Sequence, residues 1–327
     1  MCQHVIENPE LSGSATLAPT VSVVGSLNAD LVVPVDHLPA RGETVLANAP
    51  GDFALGGKGA NQAAAAAAFG AAVAMVGRVG DDDVGRQILA DLADRGIDTT
   101  NVTVTSGARS GSATIALDPD GENLIIVDPG ANSLLTDADV TAAQLDKAAV
   151  VLVQLEVPLA AVSAAVRVAA AAQGTRVVLN PAPARPLPAE LTGLVDVIVP
   201  NQAELARLGG AGEIAGPADA VRIASALPGD ADVVVTLGKD GALVVPRYGS
   251  PVVIAAPVVD VVDTTGAGDC FCGTLAVSLA DGMRLTEAAR WSVAAAALST
   301  TARGARGRIP SRDEVEPVAR ALSERVL

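Results

Sequence analysis

Residues 263–269 read Asp263-Thr264-Thr265-Gly266-Ala267-Gly268-Asp269. The stretch follows the apolar run 258–262 and precedes an apolar helical pattern over 271–279. Two glycines flanking one alanine at a strand-to-helix turn leave backbone N–H groups bare. Such a helix N-terminus binds anions, because its first N–H groups lack intrahelical partners and the dipole is positive there. Asp269 would sit beside a bound phosphate, where it could accept a proton from an attacking hydroxyl. The alternative is that it caps the helix.

A second glycine-rich stretch, Gly56-Gly57-Lys58-Gly59-Ala60-Asn61, leads into Gln62 and six alanines, 63–68. It is again loop into helix. It matches neither the Walker pattern, in which Gly-Lys precedes Ser or Thr, nor the spaced dinucleotide fingerprint. Upstream, Gly25-Ser26-Leu27-Asn28-Ala29-Asp30 ends the apolar strand 21–24. Asn28 and Asp30 are two apart, so in extended chain they point to one side. A carboxylate, an amide and a lysine converging on a glycine-lined floor suit a polyhydroxylated ligand, whose hydroxyls both donate and accept.

Around these motifs the pattern alternates. Strands are expected at 21–27, 72–76, 150–155, 177–179, 195–199, 233–237 and 243–245. Helices are expected at 61–69, 84–95, 159–172, 218–227, 268–280, 285–300 and 312–325. Alternating apolar strands and helices predict an α/β fold, a mostly parallel sheet covered on both faces. Ligands of such sheets bind at the carboxyl ends of the strands, where all the motifs fall. Two regions, 31–54 and 103–127, carry short β patterns without helices.

Composition bounds the rest. A chain of 327 residues holds one large α/β domain with an appendage, or two domains. A net charge of −15 argues against nucleic-acid or anionic-membrane partners, which want basic patches. Half the residues are apolar but only 2% are aromatic, so the core is expected from Ala, Val and Leu. Cys2, Cys270 and Cys272, sparse and without metal-ligand spacing, suit a reducing compartment, and the last two read as buried small hydrophobes. Residues 1–20 carry Glu7 and Glu10 without a continuous apolar core, so they read as a disordered extension to a domain at 21–327 and not as a secretory signal. Localisation in the cytoplasm is the expectation. His4 and His37 lie in no recognisable motif and read as solvated or packed, which leaves a carboxylate as the base.

The two glycine motifs together resemble the signatures of the ribokinase-like (PfkB) sugar kinases. Further segments resemble the ribose-specific branch of that family: Gly42-Glu43-Thr44, Gly130-Ala131-Asn132, Gln154-Leu155-Glu156, Asn180-Pro181-Ala182-Pro183-Ala184 and Pro200-Asn201-Gln202-Ala203-Glu204. The resemblance spans about 21–310 and implies a three-layer fold with a small β-sheet lid. Lid strands from about 31–54 and 103–127 would cover the sugar and clasp a homodimer. A lid suits a kinase, which must exclude water.

The resemblance also implies roles. Asp269 takes the proton from the primary hydroxyl of the sugar, O5 in D-ribose, and the N–H groups of Gly266, Ala267 and Gly268 hold the transferring phosphoryl of ATP. Sugar contacts carry over to Asn28, Asp30, Gly56, Gly57, Lys58, Asn61 and Glu156, although Glu156 also reads as a helix N-terminal charge. Asn132 is either structural or near the sugar. On the nucleotide side, Asn201 and Glu204 resemble a motif that positions Mg²⁺ through water, and they also read as a helix cap with its capping-box partner. Thr236-Leu237-Gly238-Lys239-Asp240-Gly241 matches a nucleotide loop, in which Lys239 touches a phosphate or is solvated. A K⁺ loop falls on Asp263, Thr265, Ser299, Ala302, Gly304 and Arg308. Two departures stand out. Val293 occupies the place of a polar adenine contact, and Arg308 that of a small hydroxyl residue. Kinases of fructose, a deoxy sugar acid or a nucleoside are the same-fold alternatives. A non-catalytic sugar- or nucleotide-binding regulator is the alternative of another class. A hydride-transfer enzyme finds no dinucleotide fingerprint after the first strand.

Overall fold

The computed structural model describes residues 21–120 and 122–327. The expected extension 1–20, with His4 and Cys2, lies outside them. The chain opens with β1 (Val21–Val24), β2 (Asn28–Pro34), β3 (Asp52–Gly56), α1 (Lys58–Ala68), β4 (Val73–Gly80), α2 (Asp83–Asp94) and β5 (Asp98–Thr105). There follow β6 (Gly111–Leu117), β7 (Asn123–Asp128), α3 (Asp137–Ala142), β8 (Val150–Val153), α4 (Leu159–Ala171), β9 (Arg176–Leu179), α5 (Ala189–Thr192) and β10 (Val197–Ile198). The last third holds α6 (Gln202–Leu208), α7 (Pro217–Ser225), β11 (Asp232–Thr236), β12 (Ala242–Val245), β13 (Val252–Ile254), α8 (Ala267–Ala280), α9 (Leu285–Ser299), α10 (Arg312–Ala321) and β14 (Glu324–Val326).

Ten strands form one sheet in the order β14-β13-β12-β11-β10-β9-β8-β1-β4-β5. Pairing is parallel from β5 to β11 and antiparallel from β11 to β14. The central strands are largely apolar because both faces are covered. In β8, Val150 and Leu152 belong to the core shared with α1, α8 and α9, while Val151 and Val153 belong to the core shared with α4. That alternation is the strand's period of two read out as two cores.

The alanine run has a packing role. Gly273 of α8 lies against α1, where a Cβ would meet Gln62 O at 2.5 Å and Ala66 N at 2.9 Å. Small residues on both helices let the backbones touch. This sets the register between Asn61-Gln62 and Asp269.

A second sheet, order β3-β2-β6-β7, stands apart from the first. It draws on the two regions expected to carry lid strands, with differences. It begins at Asn28, inside the first motif. Residues 103–105 belong instead to the main sheet, as the end of β5, which pairs with β4 as far as Gly80 and Thr105. Two further expectations fail. The helix expected at 312–325 ends at Ala321, and Glu324–Val326 turn back to pair with β13. The apolar run 258–262 is no strand: Val258 is fully exposed and Val261 is 60% exposed. Its side chains line a cleft.

Candidate active site

Asp269 sits in the first turn of α8, buried, with an amide donor on each carboxylate oxygen. Asn61 Nδ2 donates to Oδ2 at 3.0 Å and Gln62 Nε2 donates to Oδ1 at 3.0 Å. Gln62 is oriented in turn: its Oε1 accepts from Gln154 Nε2 at 2.6 Å, and its Nε2 also reaches Asn180 Oδ1 at 3.1 Å. Burial raises the Asp269 pKa, opposed by the Lys58 ammonium and the two amides. A raised carboxylate is a better base than an exposed one. Asp269 is therefore not the side-chain cap of its helix; the cap position is Gly266, left-handed at φ 75°. Any Cβ there would strike Ala305 at 2.7 Å.

The N–H groups expected to hold phosphate are not equivalent. Ala267 N–H is already bonded to Thr264 O at 3.2 Å. Gly268 faces open space, with no atom within 4 Å of where a Cβ would be. It lines both a polar recess of about 120 Å³ and an adjoining apolar cleft of about 480 Å³. The recess also gathers Lys58, Asn201, Glu204, Thr236, Gly266 and Asp269. Burial pulls the Lys58 pKa down, but the carboxylates of Asp269, Glu156 and Glu204 outweigh it and hold the ammonium above its ordinary value.

Both readings of Asn201 and Glu204 meet here. They form a capping box on α6, with Asn201 Oδ1 accepting Glu204 N–H and Glu204 Oε2 accepting Asn201 N–H, each at 2.8 Å. They also line the recess. Burial raises the Glu204 pKa against that backbone hydrogen bond. In the apolar cleft stand Thr236, Gly238, Lys239 and Gly241, the exposed Val258 and Val261, and Val293. Leu237 and Asp240 are absent from its wall. Leu237 packs into a core under β11 and β12, and its N–H closes the turn onto Gly241 O at 2.8 Å.

On the other side of Asp269, Asp30 and Asn28 share one face of β2, as their spacing predicts. Asp30 lies over Gly56, and its Oδ1 is buried without a hydrogen-bond partner. Burial first, then the neighbouring Glu156, lifts its pKa from 3.8 to about 6. Asn28 Oδ1 accepts from Asn132 Nδ2 at 2.7 Å, and Asn132 Oδ1 accepts Leu27 N–H at 2.9 Å. Asn132 thus orients Asn28. Glu156 Oε2 takes Ser26 Oγ–H at 2.5 Å and Lys58 N–H at 3.2 Å, so it braces the glycine loop.

The loop expected to hold K⁺ is stitched together by Asp263. Its Oδ1 accepts Thr265 N–H at 2.8 Å and its Oδ2 accepts Gly304 N–H at 2.8 Å. Ser299 Oγ–H is bonded within its own helix, to Ala296 O at 2.8 Å. Ala302 lies between the end of α9 and Gly304. Arg308 turns to Thr301 Oγ1 at 2.6 Å and Glu314 at 3.2 Å.

Of the remaining expectations, Cys270 and Cys272 are buried, their thiols pushed up by burial, Cys270 to about 12. His37 is exposed and paired with Glu43 at 2.9 Å. Sequence reasoning missed Arg306, whose guanidinium reaches Asn61, and the partner role of Gln62. A lone glutamine opening an alanine run was the available signal for Gln62; Arg306, in a Gly- and Arg-rich loop, offered none.

The match to known proteins extends over the whole site. The model of the pfkB family carbohydrate kinases matches residues 18–312. The chain belongs to the pfkB family of carbohydrate kinases. Among its relatives, the ribokinase of Haemophilus influenzae is 41% identical over 299 residues, covering 90% of this chain and 96% of that one. The ribokinase of Bacillus subtilis is 40% identical, covering 90% and 98%. The structure of Arabidopsis thaliana ribokinase complexed with ribose and ATP superposes with a TM-score of 0.83 at 34% identity, covering 92% of this kinase and 99% of that one. The kinase's main sheet and its separate small sheet match that architecture.

Proposed function

We propose that this kinase transfers the γ-phosphoryl group of ATP to O5 of D-ribose, giving D-ribose 5-phosphate and ADP. One observation carries the reading. A buried carboxylate, Asp269, stands between an apolar cleft with a glycine floor and a polar face built from Asn28, Asp30, Asn61 and Glu156. The similarity to ribokinases supports the choice of sugar.

In this mechanism Asp30 and Asn28 receive the sugar hydroxyls, and the orphan Oδ1 of Asp30 gains the donor it lacks. The primary hydroxyl reaches Asp269, whose carboxylate is raised by burial and takes its proton as the O–P bond forms. Gly268 N–H, with the positive end of α8, faces the charge spreading over the phosphoryl oxygens. Lys58 balances the acids around the recess. Water exclusion and alignment supply much of the rate.

Mg²⁺ neutralises phosphate charge when bound. Among the described residues no three acidic, His or Cys groups converge on a metal. The recess offers the single carboxylate of Glu204, which suits a hard ion held mainly by phosphates and water. For K⁺, the loop joined by Asp263 and Gly304 would supply backbone carbonyls, while the Arg308 side chain offers no oxygen and turns to Thr301 and Glu314. On the face turned away from Asp30, the small sheet exposes Leu31, Phe53, Leu124 and Ile126. We assign that face to a homodimer clasp and the chain to the cytoplasm. No helix of the described residues is long and apolar enough to cross a membrane.

An ADP-release assay over pentoses, hexoses and nucleosides tests the proposal. D-ribose is expected to give the highest kcat/KM. A nucleoside or hexose preferred tenfold would overturn it. A nucleoside site wants stacking aromatics, and the small sheet offers Phe53 alone.

A further inference from the structure

Arg306 lies in the loop 303–308, yet its side chain is only 8% exposed. Each of its three nitrogens makes a hydrogen bond. Nε donates to Asn61 Oδ1 at 2.8 Å, Nη2 to the Gly56 carbonyl at 3.2 Å, and Nη1 to Asp91. Asn61 passes its other end to Asp269. The logic of donors then fixes the amide. A guanidinium only donates, and an ionised carboxylate only accepts. An amide held between them must turn its oxygen to Arg306 and its nitrogen to Asp269.

The same loop braces the phosphate side. Ala305 abuts Gly266, and Gly304 N–H is tied to Asp263 Oδ2. A single short segment therefore touches the anion-binding turn, the base's amide partner and the carbonyl of the sugar loop. Asp91 does not depend on Arg306 alone, because Arg95 Nε also donates to both its oxygens, at 3.1 and 3.2 Å.

We propose that Arg306 is a positioning residue for phosphoryl transfer, fixing the Asn61 amide against Asp269 and the Gly56 carbonyl of the sugar loop. The proposal rests on Asp269 as the base. A planar fork with three separate acceptors is not reproduced by a lysine.

The test compares Arg306→Met, Arg306→Gln, Arg306→Lys, Asn61→Ala and the double variant Arg306→Met/Asn61→Ala, with Asp269→Asn alongside. Each is measured for kcat, both KM values and thermal unfolding. Arg306→Met is expected to lower kcat about 10- to 100-fold, the scale of a misplaced catalytic group, with the KM for ATP within about twofold. Arg306→Gln retains an N–H for Asn61 Oδ1 and should recover much of the loss. The double variant should be no slower than about twofold below the worse single one, since both act through one amide. Should Arg306→Met fail to fold, Arg306→Lys decides: it keeps a charge for Asp91 but not the fork, and a folded protein with lowered kcat supports the proposal. Full kcat in either variant, fully additive losses, or a rise confined to the KM for ATP would overturn it. An active Asp269→Asn would remove the base. Inactive Asp269→Asn beside fully active Arg306→Met would remove only the positioning role.

Discussion

Replacing Asp30 by Asn should make the sugar-free kinase more stable while weakening its hold on ribose. Asp30 Oδ1 is buried without a partner, and burial with the nearby Glu156 lifts the carboxyl from 3.8 to about 6. Between those values the folded state binds the proton more tightly than the unfolded chain does. Stability therefore falls as pH rises through the interval, and the whole penalty is present above about pH 6. At 1.36 kcal/mol per pH unit the displacement amounts to about 3 kcal/mol. Asn lacks the charge, so at pH 8 Asp30→Asn should unfold at a temperature higher by roughly 5 °C. At pH 4 the difference should largely vanish. Sugar binding runs the other way. Losing one charged hydrogen bond, worth about 1.5–3 kcal/mol, should raise the Kd for ribose about 10- to 100-fold, with affinity for an ATP analogue unchanged. Calorimetry and thermal melts at both pH values give every quantity. A variant less stable than wild type at pH 8, or one that binds ribose normally, would refute the reasoning.

Asp269→Asn should keep its fold and nucleotide affinity but lose about 10²–10⁴ in turnover, as expected for a positioned base; near-normal turnover in pure, folded protein would sink the assignment. Glu156→Ala frees Ser26 Oγ and Lys58 N–H, and should weaken ribose binding while leaving ATP binding intact, read by calorimetry with each ligand. Activity should be abolished by chelating Mg²⁺ and restored by adding it back, measured as ADP release. Turnover should be higher in KCl than in NaCl or a bulky organic cation at fixed ionic strength. Equal rates in all three would mean that the loop of Asp263 and Gly304 holds no ion, and Arg308→Ser would then be the variant in which to look for K⁺ dependence.

What was legible in the sequence was whatever local chemistry dictates. Apolar runs of three or four residues, such as 233–235 and 150–153, are strands because a doubly covered sheet leaves no polar face. Glycines where backbone must approach backbone, at Gly57 and Gly266, announced their turns. The short-range partners Asn28 and Asp30 followed from the strand period. What was not legible depends on residues far apart in the chain. The run 258–262 looks like a strand to any local reading, but the neighbouring edge is already filled by β12 and β13, and its valines serve the cleft instead. Glu324–Val326 continue a helical pattern in composition, yet the free edge of β13 captures them. Asp263 was expected in an ion loop, but the role of its side chain, which bonds Thr265 and Gly304, was not legible. Arg306 meets Asn61 across 245 positions, a separation that no local rule spans.

The polar chain running from Gln154 through Gln62, Asp269 and Asn61 to Arg306 explains why the surrounding helices are built from alanine. Buried amides are costly unless each end finds its complement. Here the complement exists only if α1 and α8 lie close enough for Asn61 and Gln62 to reach one carboxylate from two sides. Larger residues at 65, 66 or 273 would separate the helices and strand both amides. Alanine and glycine therefore contribute to catalysis by what they omit. The arrangement also balances the base. Burial raises the Asp269 pKa, whereas the Lys58 ammonium and the two amide donors lower it. The balance leaves a carboxylate more basic than an exposed one. In the proposed mechanism it takes the hydroxyl proton as the phosphoryl group is transferred.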